Sequence, residues 1–426
     1  MAITGRAVLL VAVGLPLVVL FPGWGAIIWW TLLALFAVLV DFYFARREKL
    51  RARRKVSKAV RLGGEATCTL ELFNPGTKTV RALVRDAWGP SVGGGGRAAV
   101  ELETGRGQRV RTPLVPVRRG VFRPAGVTVR VLGPLGLACH QYEVSAPAEL
   151  RVLPAFTARR HLPSRMARLR ELDGRTLLMR GGQGTEFDSL REYVPGDDVR
   201  TIDWRATARS RNAMVRTFRP ERNRQVLIVL DASRYSATRI GAAARLESHI
   251  EAALLLTALA SHAGDEVRLF VIDSKVRARV NGARGSKLHS VASALADVEP
   301  QLMEANYPEV NREVSRTLPH RSLVVVLSAV EPSLSSAMLD MVAALAHKHV
   351  VVVAGSTATE EAKLRDDHSS ELATYVAAAA DSAELEREAS RYQLTKRGAH
   401  LVEEEAETLP PALADKYLAL KAAGLL

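Results

Sequence analysis

Between Gly181 and Ser236 the chain carries a dense mixture of acids and arginines around aromatic and small residues: GGQGTEFDSLREYVPGDDVRTIDWRATARSRNAMVRTFRPERNRQVLIVLDASRYS. Glu186, Arg191, Asp197, Asp198, Arg200, Asp203, Trp204, Arg205 and Arg209 are the residues here whose chemistry could matter. At this density arginine and carboxylate should pair as planar, bidentate contacts that brace an irregular segment. The same residues would also make a recognition surface for a partner, and catalysis is a third reading. The Gly-Gly-x-Gly that opens the block is too loose for a phosphate loop, because no Gly-Lys-Ser/Thr follows and no strand precedes it. Elsewhere neither GxSxG nor HExxH occurs, and the 10 histidines are scattered without ligand spacing. Cys68 and Cys139 sit in alternating apolar and polar surroundings, which reads as buried strand positions in a reduced compartment.

The elements that must position these residues follow from periodicity. The run RQVLIVLD, ending at Asp231, is continuously apolar, and from residue 225 to 426 such runs alternate with amphipathic helical stretches. That alternation predicts a doubly wound, mainly parallel sheet with helices on both faces. Ligands of such sheets sit at the carboxyl ends of the strands, and the first such end is LDASRYS. From 63 to 155 the period is two, with turn signals such as NPGTK and GGGGR, so six or seven short strands should form a small antiparallel β-sandwich. It offers no nucleophile, acid/base pair or metal cluster and reads as a binding or spacer module. Between the two, over 156–224, SRMARLRELDG predicts an amphipathic helix capped by Ser164 and ended by Gly174, packed on its own protein rather than on a membrane surface.

Residues 1–45 read as a two-helix transmembrane hairpin. Uncharged runs on either side of Pro22-Gly23-Trp24-Gly25 extend to about 18 and 19 residues, or roughly 27 and 28 Å of helix, close to the ~30 Å hydrocarbon core. A signal peptide fits poorly, because no small-x-small cleavage site precedes a mature domain and a second apolar run follows at once. The basic stretch ARREKLRARRKVSK after the second run places both the N-terminus and the large soluble part in the cytoplasm of a bacterial cell, with the hairpin in the plasma membrane.

Charge sharpens the reading. The chain has 59 basic and 45 acidic residues, a net +14. Two segments hold the excess, about +8 over 46–62 beside the membrane and about +8 over 151–225, and the rest is near neutral. With only 5% aromatics for base stacking and a membrane or ion-pair explanation for each basic segment, a nucleic-acid partner is not expected. The lipid bilayer is the partner of the first segment.

The block GGxGxEFxxLREYxPGDDxRxIDWxATARxxxxxVRxFxPERN, followed by a strand ending in Asp-x-Ser, resembles the bacterial family known as domain of unknown function 58. The paired N-terminal apolar helices, the RRGVFR and GPLGL turns and the closing YLALKAAG extend the resemblance over nearly the whole chain. It implies a C-terminal domain similar to von Willebrand factor type A domains, and a protein partner, most plausibly a MoxR-type AAA+ ATPase, in assembly, envelope or stress functions. Such domains often hold Mg²⁺ through Asp-x-Ser-x-Ser, a Thr and a later Asp. Asp231 and Ser233 match, but Tyr235 stands where a second small hydroxyl is wanted, Ser236 is displaced by one, and Ala329 stands where the later Asp would be. The loss of two of five oxygen ligands argues against a held metal; the plainer reading is that Asp231 caps a helix or accepts backbone N–H groups. The expectation is a non-enzymatic membrane-anchored scaffold without a cofactor, with a membrane-associated, hydrolase-like enzyme as the alternative.

Overall fold

The structure, a computed structural model, describes residues 2–20, 23–47, 49–179, 186–195, 197–210, 212–219, 224–282, 287–331, 336–357 and 364–426. At 17–18, 46–47, 173–179, 186–188 and 217–219 only the backbone is described. Two compact units divide the chain, Met1–Ala155 and Phe156–Leu426.

In the first unit, strand β1 (Ala2–Ile3) leads into helices α1 (Gly5–Leu20) and α2 (Trp24–Arg47). Gly14 lets them approach closely, since a Cβ there would come within 2.1 Å of the Trp30 indole. One helix, over Trp24–Ala45, is long and apolar enough to cross a membrane, a property that signal sequences share. Helix α1 is described over 16 residues, Gly5–Leu20, and takes in most of the first uncharged run. Helix α2 already begins inside the expected turn, because the Gly23 carbonyl accepts the Ala26 N–H at 3.1 Å and opens the first helical turn there.

Ten further strands follow: β2 (Arg51–Val56), β3 (Ala59–Arg61), β4 (Ala66–Phe73), β5 (Val80–Asp86), β6 (Arg97–Leu102), β7 (Gly107–Leu114), β8 (Gly120–Phe122), β9 (Val127–Leu132), β10 (Ala138–Val144) and β11 (Leu150–Leu153). They form a five-stranded sheet β1-β10-β9-β5-β6 and two three-stranded sheets, β2-β4-β7 and β3-β11-β8. Alternation decides the packing: Leu70 and Leu72 of β4 cluster with Val80, Ala82 and Val84 of β5 and with Val127, Val129 and Val131 of β9. After the two helices, strands resume at Arg51, about a dozen residues before the expected start at 63. The basic segment is therefore not wholly a membrane-facing feature. Arg54 is buried, pairs with Asp86 at 2.8 Å and donates to the Ala146 carbonyl at 2.6 Å. The Cys68 thiol and the Trp88 indole N–H also donate to Asp86, both at 3.3 Å, and burial followed by the Asp86 charge pushes the thiol up to about 12.

The end of α2 is held by a buried carboxylate. Asp41 is 1% exposed and accepts the backbone N–H groups of Leu135 (2.7 Å), Leu137 (2.7 Å) and Ala138 (2.8 Å). These amides belong to the GPLGL turn between β9 and β10. Gly133 is needed there, because a Cβ would come within 2.3 Å of the Asp41 carboxylate. Thr4, just before α1, donates its hydroxyl to the Gly136 carbonyl at 2.6 Å and its N–H to the Leu137 carbonyl at 3.0 Å. One turn thus grips both ends of the helical hairpin.

The second unit opens with α3 (Leu162–Met179). Contrary to expectation, Ser164 lies inside the helix, its hydroxyl donating to the His161 carbonyl at 3.1 Å, and Gly174 does not end it. Pro163 in the first turn starts the helix, and a single glycine costs only about 1 kcal/mol, which the burial of Leu169 offsets. A two-stranded hairpin, β12 (Glu186–Glu192) and β13 (Met214–Arg219), encloses the short helix α4 (Trp204–Thr207). The segment 156–224 is therefore a helix and a hairpin rather than an irregular stretch.

From β14 (Gln225–Asp231) onward come β15 (Arg239–Ile240), β16 (Ala243–Ala244), α5 (Arg245–His262), β17 (Glu266–Ile272), β18 (Val276–Val280), α6 (Lys287–Leu295), α7 (Tyr307–Thr317), β19 (Leu323–Leu327), α8 (Ser336–Ala346), β20 (Val350–Thr357), α9 (Glu371–Lys396), β21 (Ala399–Glu405) and α10 (Leu409–Ala422). The sheet order is β18-β17-β14-β19-β20-β21, parallel except for the edge strand β18. Leu227 and Val229 pack with α7 and α8 residues such as Val310, Val314 and Met341. Ile228 and Leu230, on the other face by alternation, are fully buried on the side of α5. β18 and the first part of α9 were not read from sequence.

Replacing Asp41 by Ala would leave the amides of Leu135, Leu137 and Ala138 without this acceptor, the two buried ones, Leu137 and Ala138, each costing on the order of 1–3 kcal/mol. The detergent-solubilised full chain should then melt several degrees lower, and Asp41→Asn should fall between the two. Equal melting of all three proteins would show that the clasp contributes nothing.

Candidate functional site

In a doubly wound sheet the crevice opens where consecutive connections leave in opposite directions. Here that point lies between β14 and β19: the chain passes from β14 to β17 on one side and returns to β19 on the other. Asp231 ends β14, and Ser328 directly follows β19.

The chain's own donors fill this crevice. Asp231, 1% exposed, accepts the Ser233 N–H on Oδ1 at 2.8 Å. On Oδ2 it accepts the Ser328 hydroxyl at 2.6 Å and the Tyr307 hydroxyl at 3.0 Å. Burial first, and then the Asp231 charge, hold the Tyr307 phenol well above its ordinary range, so it remains a donor. Ser236 donates to the Ser233 carbonyl at 2.7 Å, while Glu331 ion-pairs with buried Arg245, which also donates to the Tyr235 carbonyl at 3.2 Å. The Ser233 hydroxyl is buried without a hydrogen-bond partner among the described residues, but it is the one oxygen of the Asp231–Ser233 pair left over for a ligand. Mg²⁺ demands near-octahedral oxygen coordination. With both Asp231 oxygens engaged, Ala329 in place of a carboxylate and no metal-holding group of three His, Cys, Asp or Glu among the described residues, the donors present do not fit that ion. Sequence reading missed Tyr307 and Ser328, which come from distant elements; the Ser after the LVVVL strand was the available signal.

The Asp/Arg block behaves differently. Asp197 accepts Arg191 Nη2 at 2.5 Å and the Val194 N–H at 3.0 Å, which closes the turn after β12. Asp198 accepts the Arg200 N–H at 2.9 Å and starts a single 3₁₀ turn over Val199–Thr201. Asp203 caps α4 by accepting the N–H groups of Arg205 (2.9 Å) and Ala206 (3.0 Å), and pairs with Arg216 of β13 at 2.7 Å. The Arg191 guanidinium lowers the Asp197 carboxyl, whereas for Asp203 the Ala206 amide comes first and Arg216 second. Every one of these acids is therefore engaged within the hairpin.

Among the described residues, three of the arginines expected to pair do not. Arg200, Arg205 and Arg209 are exposed and have no carboxylate partner among the described residues, and Trp204 beside them is 71% exposed. The Glu186 side chain lies outside the described residues. Arg216, the partner that sequence reading missed, is recognisable only once the hairpin register sets it opposite Leu190.

Residues 189–400 match the model of a protein family described as protein of unknown function DUF58. The chain is 30% identical over 104 residues to uncharacterized proteins of Mycobacterium bovis and Mycobacterium tuberculosis, covering 24% of this chain. It spans about a third (33%) of the length of these curated relatives. Among solved structures, the CARDB domain of the PF1109 protein from Pyrococcus furiosus is 18% identical at a TM-score of 0.20, covering 26% of this chain and 92% of that one. The alkylpurine DNA glycosylase AlkC from Pseudomonas fluorescens is 18% identical at a TM-score of 0.17, covering 32% and 42%. Likenesses at such scores carry no argument.

Two predictions follow from the buried groups. Calorimetric titration of the full chain with Mg²⁺ or Mn²⁺ should show no saturable binding; micromolar binding abolished by Asp231→Ala would restore the metal reading. Fully buried His249 of α5 is depressed to about 3 from the ordinary 6.5, by burial first and Arg245 second. The unfolded chain thus takes up a proton near 6.5 that the folded chain refuses until about pH 3, so stability should fall as pH drops below 6.5. His349 and His400 are shifted in the same direction, so the measurement is the difference between wild type and His249→Gln: the variant should unfold with a shallower dependence between pH 6.5 and 4. Identical slopes would remove His249 as the cause.

Proposed function

We propose that this chain is a non-enzymatic, membrane-anchored scaffold whose second unit, a von Willebrand factor type A-like domain, binds a protein partner with an acidic face. The observation that carries this reading is the exposed Trp204 among Arg200, Arg205 and Arg209, on a hairpin where Asp197, Asp198 and Asp203 are used internally. Tryptophan and arginine are the residues most enriched at the energetic centres of protein interfaces. A guanidinium without an internal acid offers its planar fork to a carboxylate on another protein. The resemblance of the block to the DUF58 family makes a MoxR-type AAA+ ATPase the partner of choice, in assembly, envelope or stress functions.

Two-pass anchoring in the bacterial plasma membrane is the second part of the proposal. It is supported by the hairpin's exposed apolar residues, among them Leu9, Trp29 and Phe36, and by the gripping of both helix ends on one turn. A signal peptide would be cut away, whereas β1 pairs with β10 and Asp41 completes the β9–β10 turn. The basic residues after α2 support, by the positive-inside rule, an N-terminus and a soluble part that face the cytoplasm.

Affinity purification from detergent-solubilised membranes of the native host, with nucleotide present, should recover an ATPase with the wild-type chain. Because losing one interface centre costs about 2 kcal/mol or more, Trp204→Ala should reduce recovery at least tenfold while leaving the melting temperature unchanged. A wild-type purification containing this chain alone would sink the scaffold reading.

A further inference from the structure

We propose that a cleft at the end of α2 binds the phosphate of an anionic lipid headgroup; this rests on the membrane reading of the hairpin. The cleft has a volume of about 260 Å³ and is walled by Phe44 at the end of α2, Lys78 and Arg81 at the start of β5, Glu101 of β6, and Gly133 and Pro134 of the β9–β10 turn. That is below the roughly 300–1,000 Å³ of sites that bury a drug-sized ligand, so it admits a phosphate and its alcohol but not the acyl chains.

Depth, charge and rigidity all point to the same occupant. The membrane-length stretch Trp24–Ala45 ends on the cleft wall, so the cleft lies level with the headgroups while the chains remain in the hydrocarbon. Leu135, in the turn behind it, is 57% exposed, an apolar side chain suited to that boundary. Lys78 Nζ stands 5.6 Å above the Phe44 ring and has no carboxylate partner among the described residues. Arg81 pairs with Glu101 at 2.9 Å, but both side chains are more than half exposed, and an exposed pair of this kind holds its members weakly. Arg81 can turn towards a phosphate in the cleft, while Glu101 is the opposing acid on the wall among the described residues. The Asp41 clasp fixes the Gly133–Leu137 turn, so the back wall is formed before any ligand arrives. Basic pockets beside spanning helices are a recurring means of holding anionic headgroups.

The test reconstitutes the full chain in nanodiscs of mixed phosphatidylcholine and phosphatidylglycerol and measures by mass spectrometry the lipid retained after extraction. Phosphatidylglycerol should be enriched over its bulk fraction, and Lys78→Ala should cut the enrichment about fivefold, the effect expected of one lysine at the membrane surface. Lys58→Ala, the same charge change at an exposed site outside the cleft, should leave it unaltered. Inorganic phosphate titrated into the lipid-free chain in detergent should show no saturable binding. A membrane-embedded chain with no phosphatidylglycerol preference, or an equal loss in both variants, overturns the site alone. Phosphate binding lost in Lys78→Ala without lipid preference overturns the lipid source. A chain that fails to enter the bilayer overturns the membrane reading together with the site.

Discussion

A carboxylate removed from water must be surrounded by donors, and much of this molecule is arranged around aspartates that meet that demand. Asp41 takes three backbone amides, Asp86 takes Arg54, Cys68 and Trp88, and Asp231 takes an amide and two hydroxyls. Asp265 takes Tyr417 at 2.5 Å and Lys421 at 3.4 Å; burial raises its carboxyl against the pull of the Lys421 charge. Each joins elements far apart in sequence: a helix end to a strand turn, one sheet to another, or the last helix to the loop before β17. The hydrophobic clusters drive collapse, but these directional contacts select which turn meets which helix.

The same demand explains where positive charge is left over. In the hairpin, Asp197, Asp198 and Asp203 are used as turn closers and caps, and two arginines, Arg191 and Arg216, follow them. Arg200, Arg205 and Arg209 remain at the surface. Arginines outnumber the acids here, and Asp198, which engages a backbone amide and a turn rather than a guanidinium, leaves one more of them exposed. In the first unit the outcome is mixed: Arg54 is buried by its acid, while Lys55 pairs at the surface with Glu71 at 2.9 Å.

Much of this was legible in the residues. The buried parallel strands announced themselves as unbroken apolar runs, and β14, β19 and β20 lie where VLIVL, LVVVL and VVVVAG place them. Three-residue strands such as β3 and β8 are too short for a period of two to register. Ser164 and Gly174 show how a local rule loses to context, since Pro163 sets the start of α3 and packing carries it through the glycine. At the site, Asp231 was visible because it ends an apolar run, whereas Tyr307 lies 76 residues away and Ser328 lies 97 away. Only the folded topology brings them to one carboxylate. Asp41 was hidden differently: it reads as the polar end of an apolar helix, and nothing local shows that GPLGL will close on it.

These contacts also separate the surfaces that can recognise a partner from those that cannot. A contact bridged by a cation needs an open coordination position on a hard ion. At the rim of β14 the Tyr307 and Ser328 hydroxyls lie where such an ion would need the Asp231 oxygens, and the whole cluster is closed to water. Displacing them would strip a buried carboxylate of two donors before any ligand was gained, a cost of several kcal/mol. For the proposed partner contact of the second unit, this leaves groups already in solvent. Those are the side chains that the hairpin's capping aspartates leave outside, on and beside a short helix that Asp203 caps and ties to Arg216 of β13.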